Sequence, residues 1–450
     1  MASYSAATMS LKQVSGWGRF PRLAAHVEHA RFHGDLVRRS QEGEPLLARG
    51  SGRSYGDACL FENLVSTLRL NHLLEFDEST GLLRVEAGAT LEKIIRFAIP
   101  RGWFVPVTPG TKFPTIGGCI AADVHGKNHH VDGSLAGFIQ ELEMVLADGR
   151  GMHCSAEENG DLFEATIGGM GLTGFIYAAT LQLRPISSAY ISMRSIKTTC
   201  FAETCDVLTD TSGEYTYSVA WVDCLAAGKR LGRGIVHLGI HSAPETEPQE
   251  DRFALHHPQR LSVPFSLPQF VLNGRNVRIF NKLYYHKHGS HRDQQIHYDP
   301  FFYPLDSVGD WNRLYGRDGF VQYQFVVPSE GGRPVMEKIL AKIAAQGNAS
   351  FLAVLKTFGP GRGLLSFPIE GYTLALDLPL RSGLTVPFLH RLDAEISAAG
   401  GRVYLAKDAV LERNNFEEMY PEIDDFKALK AKYDPTNLFR SAQSERLGIS

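Results

Sequence analysis

The 450-residue chain predicts an α+β protein of two domains, and three observations carry that reading. Its apolar segments are brief and separated by Gly, Pro, Asn and Asp turns, as strands are. Helical patterns are few and do not alternate regularly with strands, unlike those of a doubly wound parallel sheet. The length exceeds what one core comfortably holds, and the texture changes after Pro185, where a domain boundary is expected.

Composition narrows the class. With 44% hydrophobic and 21% charged residues and a net charge of −3, the chain is globular in type and lacks the basic excess of a nucleic-acid binder. No apolar run approaches the ~18 residues that span a bilayer, and the opening MASYSAATMSLKQVSGWGRF lacks the order of a secretion signal, so a cytoplasmic chain is expected. Six cysteines (Cys59, Cys119, Cys154, Cys200, Cys205, Cys224) form no C-x-x-C pair, so free thiols are expected.

Taken in order, residues 1 to about 45 read as a polar lead-in and one helix around Arg22 to Arg39. Pro45 to Ala48 reads as a strand running into Arg49-Gly50-Ser51-Gly52-Arg53-Ser54-Tyr55-Gly56-Asp57. Successive N–H groups can converge on an anion in such a loop, and Arg53 adds a fixed charge; a plain Gly-rich surface turn is the alternative. Val65 to Leu70, Leu74 to Asp77 and Leu82 to Ala87 read as strands. Thr90 caps a helix from Leu91 to Pro100, with Glu92 in its first turn.

The stretch from Pro106 to Ser134 organises the chain. It holds turns at Pro109-Gly110-Thr111 and Thr115-Ile116-Gly117-Gly118, small residues from Cys119 to Ala122, then His125-Gly126-Lys127-Asn128-His129-His130. Backbone N–H groups reach a phosphate or flat ring only where no Cβ intervenes, so this reads as a cradle for a large, flat, diphosphate-bearing ligand. Ordinary turns around a buried hairpin are the alternative. His125, His129 and His130 suggest a metal site, but Gly126 argues against a helix there, and no metal is expected. After a strand from Ile139 to Leu146, Gly169 to Gly174 satisfies G-x-G-x-x-G. A helix (Asp161 to Ile167) precedes it and a strand (Phe175 to Arg184) follows, the reverse of a dinucleotide fingerprint.

Beyond Pro185, Tyr190 to Ile196, Tyr215 to Val222 and Ile235 to His241 read as strands. Arg252 to Arg292 holds seven Lys or Arg and no Asp or Glu, with an apolar, Pro-punctuated run from Val263 to Leu272. It suits a lid or a patch meeting lipid phosphate at a membrane surface; an irregular connection with solvated charges is the alternative. Strands follow at Phe320 to Val327, Phe351 to Phe358 and Gly371 to Pro379, with helices at Arg333 to Gln346 and Val386 to Ala399. A strand from Val403 to Ala406 delivers Lys407, and a helical tail carries Lys427 and Lys430. Alternation sets Gln322 and Gln324 on one face. Lys356 interrupts an apolar strand, which is costly unless it meets an anion.

RGSGRSYGD, PVTPGT, TIGGCIAADVHGKNHH, GGMGLTG, VQYQFVVP, KTFGPG, YLAKD and KYDPTNLF resemble, in that order, the vanillyl-alcohol-oxidase-type flavoprotein oxidases. They are most similar to the branch that supplies the flavin half of a decaprenylphosphoryl-ribose 2′-epimerase in cell-wall arabinan synthesis. The resemblance implies an FAD-binding domain of the PCMH type over residues 1–185, completed by 402–450, and an antiparallel-sheet substrate domain over 186–401. It assigns FAD binding to Gly50, Ser51, Gly52, Arg53, Ser54, Tyr55, Gly110, Thr111, Thr115, Gly117, Gly118, Ala122, His125, Gly126, Asn128, Ile176 and Tyr404. Catalysis falls to Lys407, Tyr55, His125 and Gln324, and the sugar-phosphate pocket to Gln322, Gln324, Lys356, Thr373, Ala375 and Lys407. Relatives with covalent flavin carry a histidine where this chain has Arg53, so non-covalent FAD is implied. Mycobacterial members carry cysteine and asparagine at the positions of Ala375 and Thr373.

The implied reaction oxidises a secondary hydroxyl of a polyprenyl-phosphoryl pentose to a ketone, with a short-chain reductase as partner and a membrane surface within reach. An aldonolactone or alditol oxidase acting on a free sugar is the alternative. A non-catalytic binding module is a further one.

Overall fold

Residues with period-two burial assemble into three larger sheets in the computed structural model, which describes residues 11–244, 251–255, 261–268, 272–347 and 352–450. The first sheet runs Leu11–Ser15, Arg22–His29, Asn63–Ser66, Leu47–Arg49, and it mixes one antiparallel with two parallel pairings. The second is antiparallel: Leu73–Asp77, Leu82–Glu86, Phe175–Gln182, Ile139–Val145, Gly151–Ser155.

An eight-stranded antiparallel sheet forms the third, in the order His291–His297, Tyr190–Thr198, Gly234–His241, Tyr217–Val222, Ala353–Phe358, Gly371–Pro379, Phe320–Pro328, Arg402–Val403. Helices Ser329–Gln346 and Thr385–Ala398 cover its right-hand strands, and Phe201–Asp210 covers Gly234–His241 and Tyr217–Val222. Side chains on that face, among them Tyr323, Phe325, Leu355, Leu374 and Leu376, join one core with Ile339, Leu340 and Leu389 from the helices. Each such fully buried side chain contributes about 1.5–3 kcal/mol, which fixes the face that must point at the helices. The opposite face therefore carries Gln322, Gln324, Val354, Lys356, Val219 and Trp221, and these line a cavity.

The C-terminal segment returns to the first sheet: Leu46 N–H donates to Leu438 O at 2.9 Å and Arg440 N–H to Leu46 O at 3.0 Å. Among the described residues no helix is long and apolar enough to cross a membrane.

Several expectations need correction. Arg22 to Arg39 is not one helix; Arg22–His29 is a strand held between two neighbours, and the helix is His33–Gln41. Ladder bonding on both sides overrides the helical spacing there. Thr115 to Gly118 is the start of a helix, Ile116–Ala121, with the Thr115 hydroxyl accepting from Gly118 N–H at 3.4 Å. A one-turn helix, His129–Asp132, does form in the histidine cluster, with Gly126 left outside it. The strand expected over Val403 to Ala406 stops at Val403, and a turn carries Lys407. The basic run is not all irregular: Gly274–Lys287 is a helix, capped by Asn273, whose side chain accepts from Arg275 and Asn276 N–H. Phe351, residues 256–260 and Gln269 to Val271 of those expectations, and residues 1–10 of the lead-in, lie outside the described residues. All six cysteines are free thiols.

Candidate functional site

A cavity of about 700 Å³ lies between the two Gly-rich stretches and the open face of the eight-stranded sheet. One wall is poor in side chains because the backbone leaves no room for them. A Cβ on Gly50 would stand 2.2 Å from the Thr115 hydroxyl, and one on Gly117 would stand 2.8 Å from the Ala87 methyl. The loop after strand Leu47–Arg49 and the helix Ile116–Ala121 thus meet directly. Arg49 anchors the loop from behind, donating to Cys59 O at 2.7 Å and Ser15 O at 2.8 Å. The N–H groups of Ser51, Gly52, Arg53 and Ser54 make no hydrogen bond among the described residues. The Arg53 guanidinium lies over the Trp17 ring, 4.0 Å from its centroid. Gly110, Thr111, Gly118, Ala122, Gly126, Ile176 and Tyr404 complete this wall, with Tyr404 donating its hydroxyl to Ala122 O at 2.9 Å.

The facing wall is polar. Tyr55, His125, Gln322, Gln324, Lys356, Ala375 and Lys407 all line the cavity. Lys407 reaches it from the turn after Arg402–Val403, its Nζ 5.7 Å from the Tyr55 ring centroid. Tyr55 N–H donates to Ala406 O at 3.0 Å, which ties the two loops together. Burial pushes the Lys407 amine down to about 8, against the upward pull of Asp377. Burial, with Lys407 and Lys127 nearby, holds Lys356 far below the usual lysine range; its Nζ donates to Gly126 O at 3.1 Å. Lys127 also lines the cavity, donates to Phe301 O, and is pushed down by burial to about 7. Tyr55 is held protonated by burial and by Asp377.

His125 and Gln324 form a defined pair. The Thr373 hydroxyl donates to Phe325 O at 2.8 Å, so it accepts from Gln324 Nε2 at 3.1 Å. That fixes the amide orientation, and the same Nε2 lies 2.9 Å from His125 Nε2, which therefore accepts. The imidazole proton sits on Nδ1. Burial, then Lys356 and Lys407, holds His125 well below the usual imidazole range, so the ring is neutral. His125 Nδ1 and Gln324 Oε1 are both buried without a partner among the described residues.

Two expected site residues are off the cavity wall. Asn128 is buried behind it, donating to Pro106 O at 2.9 Å and to Asp132 at 2.6 Å, and so it braces the loop. Thr373 is wholly buried and acts on Gln324 from behind. Lys127 on the wall was missed, and so was Asp377, which is wholly buried and accepts from Gln322 Nε2 at 2.7 Å and Tyr315 Oη at 2.8 Å. It shares its strand face with Thr373 and Ala375, and carrying the period-two count two residues further would have found it. Among the described residues no group of three or more His, Cys, Asp or Glu is placed to hold a metal.

The cradle fits FAD on observations of its own. Unpaired N–H groups suit a diphosphate, the glycines let the two loops close on each other while Gly110 borders open space, and His125 Nδ1–H and Gln324 Oε1 await polar partners.

Comparison with known proteins agrees. The family model described as FAD binding domain matches residues 35–155, and that described as D-arabinono-1,4-lactone oxidase matches residues 381–447. A protein of Streptomyces coelicolor called "Uncharacterized protein in mprA 5'region" is 36% identical over 372 residues, 80% of this chain and 100% of its own. The human Delta(24)-sterol reductase is 32% identical over 127 residues, 28% of this chain and 24% of its own. The Decaprenylphosphoryl-beta-D-ribose oxidase of Mycolicibacterium smegmatis is 37% identical over 451 residues, 97% of this chain and 98% of its own. With likeness running nearly end to end, the chain belongs to the decaprenylphosphoryl-β-D-ribose oxidase family of FAD-dependent oxidoreductases.

Proposed function

We propose that this chain oxidises the 2′-hydroxyl of a polyprenyl-phosphoryl ribose to a ketone, the first half of a 2′-epimerisation, and passes the ketone to a short-chain reductase. The observation that supports it best is one cavity with a glycine-lined cradle on one side and Lys407, Lys356, Gln322 and Gln324 on the other. In the same reading, residues 1–185 with 402–450 form the flavin domain and 186–401 the substrate domain. The protein meets its lipid substrate at a membrane surface.

FAD, when bound, supplies the acceptor for the hydride leaving the sugar carbon. The protein does the rest. Gly50 to Tyr55, Gly110, Thr111, Thr115, Gly117, Gly118, Ala122, Gly126, Ile176 and Tyr404 hold the cofactor, without a covalent bond because Arg53 stands where a tethering histidine would. Lys407 is the group that takes or steadies the hydroxyl proton at its Nζ: with a value near 8 it can do either close to neutral pH. Gln322 and Gln324 orient the sugar, and neutral His125 offers its Nδ1 proton as a hydrogen-bond donor. A phosphate brought beside Lys356 restores the charge that burial suppresses, which binds substrate and relieves the buried amine.

The lactone oxidase model favours a free-sugar substrate instead, but it spans Lys407 and none of Gln322, Gln324 and Lys356. Anaerobic titration of the yellow protein decides between them. Bleaching of the flavin band by a prenyl-phosphoryl ribose, and not by an aldonolactone, is expected; the opposite pattern overturns the proposal.

A further inference from the structure

We infer that the helix Gly274–Lys287 is a docking surface for an anionic lipid bilayer, laying an exposed aliphatic stripe on the membrane beside the mouth of the cavity. The inference rests on the lipid-linked substrate proposed above.

The helix's rotation is fixed from inside. Val277, Asn281 and Tyr285 recur every four residues and are buried. Asn281 Nδ2 donates to Asp223 at 2.8 Å and the Tyr285 hydroxyl to Thr198 O at 3.0 Å. At 3.6 residues per turn, the opposite side then shows Ile279 and Leu283 to the outside, 52% and 67% exposed. Such a stripe on a surface helix needs a cover. Beside it stand the exposed cations Arg275, Arg278, Lys282 and Lys287, none of which meets a carboxylate among the described residues. The run from 252 to 292 carries seven Lys or Arg and no Asp or Glu, although the whole chain is net negative at −3.

Aliphatic stripe plus flanking cations is what an interfacial helix presents to acidic headgroups, with lysine and arginine stems reaching up past the apolar side chains. A second copy of the chain would bring the same cations face to face, so the bilayer is the better occupant. The cavity adds an independent reason. Phe280 and Tyr284, next to the stripe on the same helix, line the cavity, their rings stacked with centroids 5.9 Å apart. A prenyl tail leaving the cavity there runs over these rings and reaches the surface on which the helix lies.

The test is flotation of the FAD-loaded protein with vesicles of phosphatidylcholine containing phosphatidylglycerol, against phosphatidylcholine alone, at low and high salt. Binding is expected only with phosphatidylglycerol and to weaken with salt. The double variants Ile279→Ser/Leu283→Ser and Arg275→Glu/Lys282→Glu are each expected to weaken it about tenfold or more, with flavin content and thermal midpoint unchanged. Absence of wild-type flotation, or flotation indifferent to both double variants, overturns the inference. So does a wild-type dimer that the serine variant dissociates, which assigns the stripe to self-association. Flavin bleaching by a short-tailed phosphoryl ribose in vesicle-free buffer tests the substrate reading separately. If bleaching fails while flotation holds, the substrate falls and the docking helix stands.

Discussion

Gln322 and Asp377 face each other across paired strands, the amide nitrogen 2.7 Å from a carboxylate that water does not reach. Burial raises that carboxyl to about 6, and above that pH its charge supports the ammonium form of Lys407. Asp377→Asn keeps the shape and removes the charge. Lys407 then loses its proton at a lower pH than about 8, so the rising limb of flavin reduction against pH is expected to move down. Stopped-flow reduction across pH measures it, and a limb that stays in place means the two groups are not coupled.

The contact between Gly50 and Thr115 makes a sharper demand on the cradle. A methyl at position 50 would sit 2.2 Å from the Thr115 hydroxyl and 3.2 Å from its Cβ. Gly50→Ala is therefore expected to purify largely without flavin. Thr115→Ala removes the oxygen and loses a helix cap at about 1 kcal/mol. Combined, the two changes should retain more flavin than the sum of their separate losses predicts, because the clash partner is gone. Strict additivity in flavin content would show that the two loops do not touch in solution.

Ala375 lies on the cavity wall opposite Gln324 in register, with Val354 on its other side. It offers no thiol, so electrophiles that inactivate cysteine-bearing relatives should leave turnover intact. Ala375→Cys is expected to gain labelling and inactivation together, read by intact mass and flavin reduction. Cys59 and Cys119 also line the cavity, so peptide mapping must place the label. Burial raises the Cys119 thiol out of reactive range. Labelling of the unmodified protein with loss of turnover would remove Ala375 as the reason for resistance.

What the sequence made legible was local. Alternation put Gln322 and Gln324 on one face and marked Lys356 as an isolated cation, and the cavity holds all three. The reversed order around Gly169 to Gly174 is as read, helix Gly160–Thr166 before and strand Phe175–Gln182 after, although Met170, Gly171 and Gly174 still touch the cavity. Relations set by distant pairing were not legible. Arg22–His29 is a strand because Leu11–Ser15 and Asn63–Ser66 flank it, and nothing within the segment announces those neighbours. Pro264 and Pro268 made the basic run look irregular and hid the helix that begins after Asn273. Asp377 fell inside the strand read over Gly371 to Pro379, but its partner Gln322 sits on the neighbouring strand, and nothing within the segment announces that pairing.

Arg446 was also invisible, since its partners lie far away in the chain. Its guanidinium donates to Asp57 at 2.8 and 2.9 Å and to Asp408 at 2.7 Å. Those carboxylates neighbour Tyr55 and Lys407, and a Cβ on Gly56 would stand 1.8 Å from Asp408 O, so the two loops are in backbone contact at the clamp. Arg446→Met leaves two nearly buried carboxylates facing each other and is expected to destabilise the fold by about 3 kcal/mol. Arg446→Lys keeps the charge but not the fork, and should fall between. The pH dependence follows from Asp57, which burial and Asp408 push up and Arg446 pulls down. Without Arg446 its folded-state value rises further above the unfolded one, so the stability it contributes is present at low pH and lost as pH rises. The deficit of Arg446→Met against the wild type should therefore narrow as pH falls, which thermal unfolding across pH can follow. Flavin reduction should slow in parallel, because the clamp sets where Lys407 stands relative to Tyr55. A variant that loses stability while reducing its flavin at the wild-type rate would confine Arg446 to holding the fold.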